Sequence, residues 1–510
     1  MSLNIQKKMA ACKRRIKKRL DKTKFGGKCP VIAASNIHYE IADRTQAISS
    51  GGLGMMHQMV KQLELDKAIN RRVNVFRIYL PYSESDHILN IAYNVLAGGT
   101  RLEHLELRRN DEVYLNALGA QRIPDPTTAG DFCRRFEPQH IMALMETINE
   151  TRIKVWGQQP NSFFEEAVID ADGTMVETYG ECKEGMDINY KGQWGYHPLV
   201  ISLANTKEPL YIVNRSGNRP SHENAAFFLD RAISLCQRAG FRRITLRGDT
   251  DFSQTEHLDR WDEQGVSFVF GIDAMPNLYD MVETLPNEAW KRLARPARYE
   301  VKTTPRERPE NIKEQVVVER EFKNIRLADE YVAEFVYRPG ACTKDYRVIV
   351  VWKDLEVWKG QAKLFDKSTC FFYITNDRAS DPEAIVFRAN DRCDQENLIE
   401  QLKNGVHALT APVDSQTSNW AYMVMASLAW SLKAWSALLV PVQGRWKEKH
   451  EAEKNRLLKM DFVTFRNAMI AIPAQIIRSA GKIVYRFLAW NPWQHVFFRL
   501  VQQLRRPLRC

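Results

Sequence analysis

From about Ser50 to Trp156, apolar residues recur at intervals of three and four in GMMHQMVKQLELDKAI, ESDHILNIAYNVLAGG and FCRRFEPQHIMALMETINETRI, which predicts a helical region. Thr127 and Thr128, following Pro124 and Pro126, predict the start of a helix that carries Arg134 and Arg135. That arrangement suits a helix-turn-helix reader of DNA, although an ordinary bundle is the better reading of these residues alone. The period then changes to two. Ala167, Ile169 and Ala171 alternate with Val168, Asp170, Asp172 and Thr174, the pattern of a strand with one apolar and one polar face. GYHPLVISLAN and EPLYIVNRSG predict a second and a third strand, joined by a hairpin turn around Lys207 and Glu208. Ser221 then opens a helix that Gly240 ends. RRITLRGDTDF reads as a fourth strand, HLDRWDEQG as a helix and VSFVFGID as a fifth strand.

Strand, strand, strand, helix, strand, helix, strand is the order of an RNase H-like (retroviral-integrase-like) fold in the α/β class. Between about Ala274 and Asp377 the segments QVVVEREF, EYVAEFVYRP, YRVIVVWKDL and CFFYITN predict an inserted, mostly β subdomain. Helical text returns at Asp381 and runs through Glu396 to Asn404, and a second helix spans about Ser418 to Leu439. The most apolar stretch, Ala421 to Val442, carries Lys433 at its middle and reads as a buried helix rather than a membrane span. KEKHEAEKNRLLK, AMIAIPAQII and WNPWQHVFFRL predict a helical tail. The expected organisation is a basic arm over 1–49, a helical DNA-binding domain over 50–160, the first part of the core over 161–273, the β-rich insertion over 274–380, the last core helices over 381–440 and the tail over 441–510.

At 510 residues the chain is too long for one compact core, and two to four domains are expected. A net charge of +11 favours a polyanionic partner, of which nucleic acid is the commonest. Residues 1 to 25 hold ten Lys or Arg, among them Lys13, Arg14 and Arg15, against one acid, Asp21. This segment reads equally as a solvated basic helix or as an arm laid on phosphates. Nine cysteines without a CxxC pair argue against a disulfide framework and a zinc site, and for a reducing cytoplasm. No apolar run follows the basic N-terminus, so it does not read as a secretory signal.

The candidate chemistry lies on the polar strand faces. Asp170, Asp172 and Thr174 share one face of the first strand, and Arg247, Asp249 and Asp251 share one face of the fourth. In the expected order these strands are neighbours, so two carboxylates at one level can bind hard cations through oxygen. Two such ions serve in-line displacement at phosphorus. Taken singly, an acid on a strand is more often solvated or salt-bridged than catalytic. His197, His222 and His257 fit no nucleophile-base or zinc spacing. Trp194 and Trp420 could stack on a base, but buried packing is the stronger expectation for each.

In GGLGMM, LNIAYNVLAGGTRLEHLELRRND, DADGT, GYHPL, RSGNRPSHE, LRGDTDF, FVFGID and ENLIEQLKNG, from about Gly51 to Leu439, the chain resembles bacterial insertion-sequence transposases of the DDE type. These belong to the group whose RNase H-like core is interrupted by a β-rich insertion. The resemblance implies that Asp172, with Thr174, supplies the first acid and Asp249, after Arg247, the second. It implies Glu396 as the third, in a pattern Tyr-x2-Arg-x3-Glu-x6-Lys that Arg392, Glu396 and Lys403 match and that Ala389 departs from at the tyrosine. Asp170 is the rival for the first acid and Asp251 for the second. Arg247, Arg392 and Lys403 are then candidate phosphate contacts, with Arg134, Arg135, Lys13, Arg14 and Arg15 binding DNA elsewhere. Also implied are two Mg2+ ions, for which Mn2+ may substitute. The implied partners are double-stranded DNA, as terminal inverted repeats and target, and further copies of the chain on that DNA; a membrane is not among them, and the setting is a bacterial nucleoid. The rival readings are a hydrolytic nuclease of the same fold and a catalytically silent DNA-binding repressor or scaffold.

Overall fold

The computed structural model describes residues 3–21, 37–39, 45–76, 81–295, 312–320, 323–359 and 362–507. The basic N-terminal segment is helix α1 (Leu3–Asp21), and Lys13 sits 5.8 Å from the Trp490 ring centroid near the other end of the chain. The three-and-four period becomes α2 (Leu53–Leu63), α3 (Leu65–Arg72), α4 (Glu84–Leu96), α5 (Pro126–Arg134) and α6 (Pro138–Trp156). Asp125 caps α5 by accepting from the Thr128 amide at 2.8 Å, with Pro126 at the first helical position, where no amide is needed.

The alternating segments form β1 (Glu166–Gly173), β2 (Leu199–Leu203), β3 (Glu208–Val213), β4 (Arg243–Gly248) and β5 (Ser267–Ile272). Their order is β3-β2-β1-β4-β5; β1, β4 and β5 run parallel, while β2 and β3 are antiparallel to their neighbours. Between β3 and β4, α7 (Ala225–Ala239) begins four residues later than Ser221 and ends where Gly240 takes φ 96°. The delay has a cause. Asn224, immediately before the helix, takes φ 59°, a left-handed backbone that no helical turn can run through, while Arg215 Nη1 holds the preceding loop by donating to the carbonyls of Pro220, Ser221 and Glu223.

The insertion extends this same sheet. Strands β6 (Lys323–Tyr337), β7 (Tyr346–Lys359) and β8 (Ala362–Thr375) form an antiparallel meander, and β8 adds to the β5 edge through Phe372–Thr375. With a short strand at Lys291–Arg292, the mixed sheet has nine strands among the described residues. The QVVVE segment, expected as a strand, is instead a helix over Ile312–Glu319. The single helix expected from Asp381 to Asn404 divides into α8 (Pro382–Asn390), α9 (Cys393–Glu400) and a π-turn at Gln401–Gly405.

Helix α10 (Gln416–Leu438) is buried from Ser418 to Leu438 except at Trp420, packed against α4, α6 and β3. Lys433 tolerates this because its Nζ donates to the Leu458 carbonyl at 2.7 Å and lies 3.9 Å from the Trp430 ring centroid. Among the described residues, no helix is long and apolar enough to cross a membrane. Beyond it, α11 (Lys447–Lys459) is followed by a hairpin, β9 (Ala474–Ser479) and β10 (Lys482–Phe487), and by α12 (Gln494–Gln503). The tail is therefore not all helical. Ala480 and Gly481 both take positive φ, as a tight hairpin turn needs, and β9 pairs with Ala47–Ile48.

Glu208 joins these layers. The sequence pattern put it in a hairpin turn, yet it is fully buried and accepts from Arg152 Nε at 2.9 Å, Trp156 Nε1 at 3.1 Å and Trp435 Nε1 at 2.8 Å. One carboxylate thus ties α6, β3 and α10 together. Removing one partner of a buried ion pair strands the other charge. Glu208→Ala is expected to lower unfolding free energy by about 3–5 kcal/mol in denaturant titration, and Glu208→Gln by less.

Candidate active site

The acids are set in place by a buried ion pair between adjacent strands. Asp170 and Arg247 are register partners on parallel β1 and β4. Arg247 donates Nε to Asp170 Oδ1 at 2.7 Å and Nη2 to Oδ2 at 2.9 Å, and its Nη1 reaches the Arg388 carbonyl at 2.9 Å. Two residues further along each strand come Asp172 and Asp249, at the carboxyl ends of β1 and β4. Asp170 is thereby committed to Arg247. Asp172 is the carboxylate of this strand whose electrostatic neighbours are Arg392, Asp249 and Glu396. Asp249 caps the turn after β4 by accepting from the Asp251 amide at 3.1 Å, and it lines a cavity of about 400 Å³ together with Arg392 and Glu396. Asp251 is exposed and does not line that cavity.

Glu396 reaches this level through its neighbour in sequence. Gln395, almost fully buried, donates Nε2 to the Val200 carbonyl at 3.0 Å and accepts from Ser202 Oγ, which pins α9 to β2. Val200 is the residue paired with Asp172 across the β1–β2 ladder. Arg392, at the break before α9, places Nη2 3.5 Å from Asp249 Oδ2. Lys403, on the π-turn, has its ammonium pushed down by burial while Glu177 and Asp172 hold it up. Asp249, Glu396 and Arg392 thus line one cavity although the helix expected to carry Glu396 and Arg392 is broken, whereas Asp172 and Lys403 do not line it: Asp172 is their electrostatic neighbour, and Lys403 is the neighbour of Asp172.

Burial pushes the Asp172 carboxyl up to about 7, against the pull of Arg392 and with the push of Asp249 and Glu396. Asp249 is raised as well, again by burial first. These are anions held in a place that disfavours anions, with one guanidinium among them.

Other expected contacts lie elsewhere. Arg247 is corrected from a phosphate contact to a structural cation, because it is buried and its guanidinium is spent on Asp170 and Arg388. Arg134 pairs with Asp414 at 3.0 Å and Asp131 at 2.9 Å, and Arg135 lies 5.8 Å from the Phe76 ring centroid. Neither Arg134 nor Arg135 lines the acidic cavity, nor do the exposed Lys13, Arg14 and Arg15 of α1. Trp420 is packed and donates to the Ile212 carbonyl, whereas Trp194 is 46% exposed, contrary to the burial expected of it. The pattern reading missed Tyr373 of β8. This residue lines the cavity with Ala389 and Arg392, and its phenol donates to Asn390 Oδ1 at 3.5 Å.

Residues 33–508 match the family described as transposase DDE domain group 1. The chain belongs to that family. No curated protein matches it. Among solved structures, a cryo-EM structure of a piggyBac transposase synaptic complex with hairpin DNA is 12% identical over 82% of this chain and 81% of that one, with a TM-score of 0.37. So low a similarity determines neither the fold nor the site.

DDE transposases work with divalent metal ions. Among the described residues no three His, Cys, Asp or Glu side chains are close enough to enclose an ion as they stand. The donor chemistry nevertheless fits a hard cation, since Asp172, Asp249 and Glu396 offer carboxylate oxygens, and burial has raised Asp172 despite the pull of Arg392. In the unfolded chain Asp172 ionises near 4, and in the folded chain near 7. Folded, metal-free protein therefore loses stability as pH rises from about 4 to about 7, and the loss is constant above that. Asp172→Asn is expected to raise the melting temperature at pH 8 without metal and to make little difference near pH 4. Asp170→Ala, which strands Arg247, is expected to cost about 3–5 kcal/mol of unfolding free energy at neutral pH.

Proposed function

We propose that the chain is a DNA transposase with an RNase H-like core, which binds the terminal inverted repeats of an insertion sequence, cuts at their ends and joins the freed 3′-hydroxyls to target DNA. The observation that carries this is the meeting of Asp172, Asp249 and Glu396 in one electrostatic neighbourhood, two of them at the ends of adjacent parallel strands. The strand order and directions support the RNase H-like assignment.

In this reading Asp172, Asp249 and Glu396 hold two Mg2+ ions, or Mn2+ in their place. When bound, such ions lower the pKa of the attacking oxygen and stabilise the leaving one. The chain's own side chains do the rest. Arg392 and Lys403 flank the acids and hold the phosphates beside the cut, where a guanidinium forms paired charge-assisted hydrogen bonds. Arg392 is the countercharge of Asp249 in the free protein, so DNA and metal together release it for phosphate. The exposed Arg135 and the basic face of α1, with Lys13, Arg14 and Arg15, extend the DNA contact away from the cut. Arg134 joins them once freed from Asp414.

A labelled duplex carrying the repeats that flank the gene tests this. Cutting at the repeat ends is expected with Mg2+ or Mn2+, to be lost in Asp249→Ala, and to be lost in Glu396→Gln while DNA affinity changes little. Cleavage retained in Glu396→Gln removes that residue from the site. Binding without cutting under either metal favours a silent scaffold, and cutting without joining favours a hydrolytic nuclease.

A further inference from the structure

Ala389 stands where the pattern Tyr-x2-Arg-x3-Glu-x6-Lys has its tyrosine, so α8 brings only a methyl group to the acid-lined cavity at that position. A phenol comes instead from the sheet. Tyr373 on β8 is level with Gly271 on β5, and Gly248 on β4 is level with Phe270, which places the next residues, Asp249 and Gly271, side by side. Asp249, Gly271 and Tyr373 thus form one row across three adjacent strands, with Asp249 and Tyr373 two strand spacings, about 10 Å, apart. They also share a face. Arg247 and Val269 are level two residues earlier, and Val269 packs with Ile385 and Val386 of α8, as Tyr373 does. In the middle of the row, a Cβ on Gly271 would come 2.9 Å from the Thr250 amide nitrogen and 3.2 Å from the Asp249 carbonyl carbon, so glycine lets the turn after Asp249 close against β5.

In the free protein the phenol is weakly held. Its bond to Asn390 Oδ1, at 3.5 Å, is at the long limit for a hydrogen bond, while Asn390 Nδ2 is buried with no hydrogen-bond partner among the described residues. A half-turn of the Asn390 amide puts Nδ2 on the phenol oxygen, which satisfies the orphaned donor and leaves the phenol proton to the cavity. That proton is present at neutral pH, because burial pushes the phenol up from its ordinary value against the pull of Arg295 and Arg392. Asp249, Glu396, Asn390 and Arg392 line the cavity with Tyr373. A hydroxyl and a guanidinium in one cavity with two carboxylates make donors for a phosphate oxygen next to a place for cations.

We propose that Tyr373 donates its hydroxyl to a non-bridging oxygen of the DNA phosphate next to the one that is cut. This role rests on the DNA-cleaving function proposed above, and it gives the insertion a direct contact with substrate. With the scissile phosphate on the acids, the neighbouring phosphate lies along the row toward β8, where Arg392 and Tyr373 receive it. The phenol makes and breaks no covalent bond. It fixes the strand so that the attacking oxygen meets phosphorus in line.

Single-turnover cleavage of a repeat-end duplex by the full chain with Mg2+ provides the test, comparing native protein with Tyr373→Phe, which removes the hydroxyl and keeps the ring. The variant is expected to cut about 10–100-fold more slowly, the range for a lost hydrogen bond to a charged group. The same comparison is then made on duplexes in which each phosphate flanking the cut is replaced in turn by a methylphosphonate, in both configurations. One such duplex is expected to be cut at equal rates by the two proteins, because the oxygen that Tyr373 serves is gone. Equal rates on the unmodified duplex overturn the proposal. So does a deficit in Tyr373→Phe that persists on every modified duplex, which is the result a purely structural role gives. Native protein that binds the unmodified duplex and does not cut it overturns the function on which the role rests, and the role with it.

Discussion

The site depends on the ion pair between Asp170 and Arg247. Two charges removed from water on neighbouring strands are costly unless they meet with good geometry, and here both carboxylate oxygens are paired with guanidinium nitrogens at 2.7 and 2.9 Å. A slip of one residue between β1 and β4 would leave both charges buried and unpaired, so the pair selects one register. That register brings Asp172 and Asp249 to one level. The third donor bond of Arg247, to the Arg388 carbonyl, and the bond from Arg388 to Glu166 at 2.8 Å draw in the end of α8, from which Arg392 and Glu396 follow. Sheet register and helix placement are thus consequences of one buried guanidinium.

The insertion acts on the same geometry from the other side. Because β8 continues the sheet beyond β5, its residues Phe371 and Tyr373 line the same cavity as Asp249 and Glu396. Helix α10 supports the assembly from behind, buried along nearly its whole length and joined to α6 and β3 through Glu208. The acids are therefore carried on rigid elements, which is what positioning to a fraction of an ångström requires.

Much of this was legible in the chain. The two-residue period of AVIDADG and RRITLRG marked the strands, and their order marked them as neighbours. What misled was burial, which a local pattern does not report. Arg247 on a polar strand face looked like a phosphate contact because nothing in sequence showed Asp170 opposite it. Glu208 looked like part of a turn because its partners, Arg152, Trp156 and Trp435, are distant in sequence. Short runs were ambiguous for another reason: QVVVE, a run of β-branched residues, fits a strand or a buried helical turn, and length alone did not decide. The hairpin at Ala480–Gly481 lacks the usual Asn-Gly signal, so the pattern there reads as helix. Division of the helix at Arg392 left the matched residues together because α9 is held by Gln395 on β2, a contact with no signature of its own.

The proposed function requires Asp172, Asp249 and Glu396 to close on divalent cations. Crystals of the native protein grown with Mn2+ and measured at the manganese absorption edge test it most directly. Anomalous peaks bounded by these three carboxylates are expected, with Arg392 moved away from Asp249, and their loss in Asp172→Asn. Saturating manganese that leaves the Arg392–Asp249 contact in place and binds elsewhere, or not at all, would contradict it.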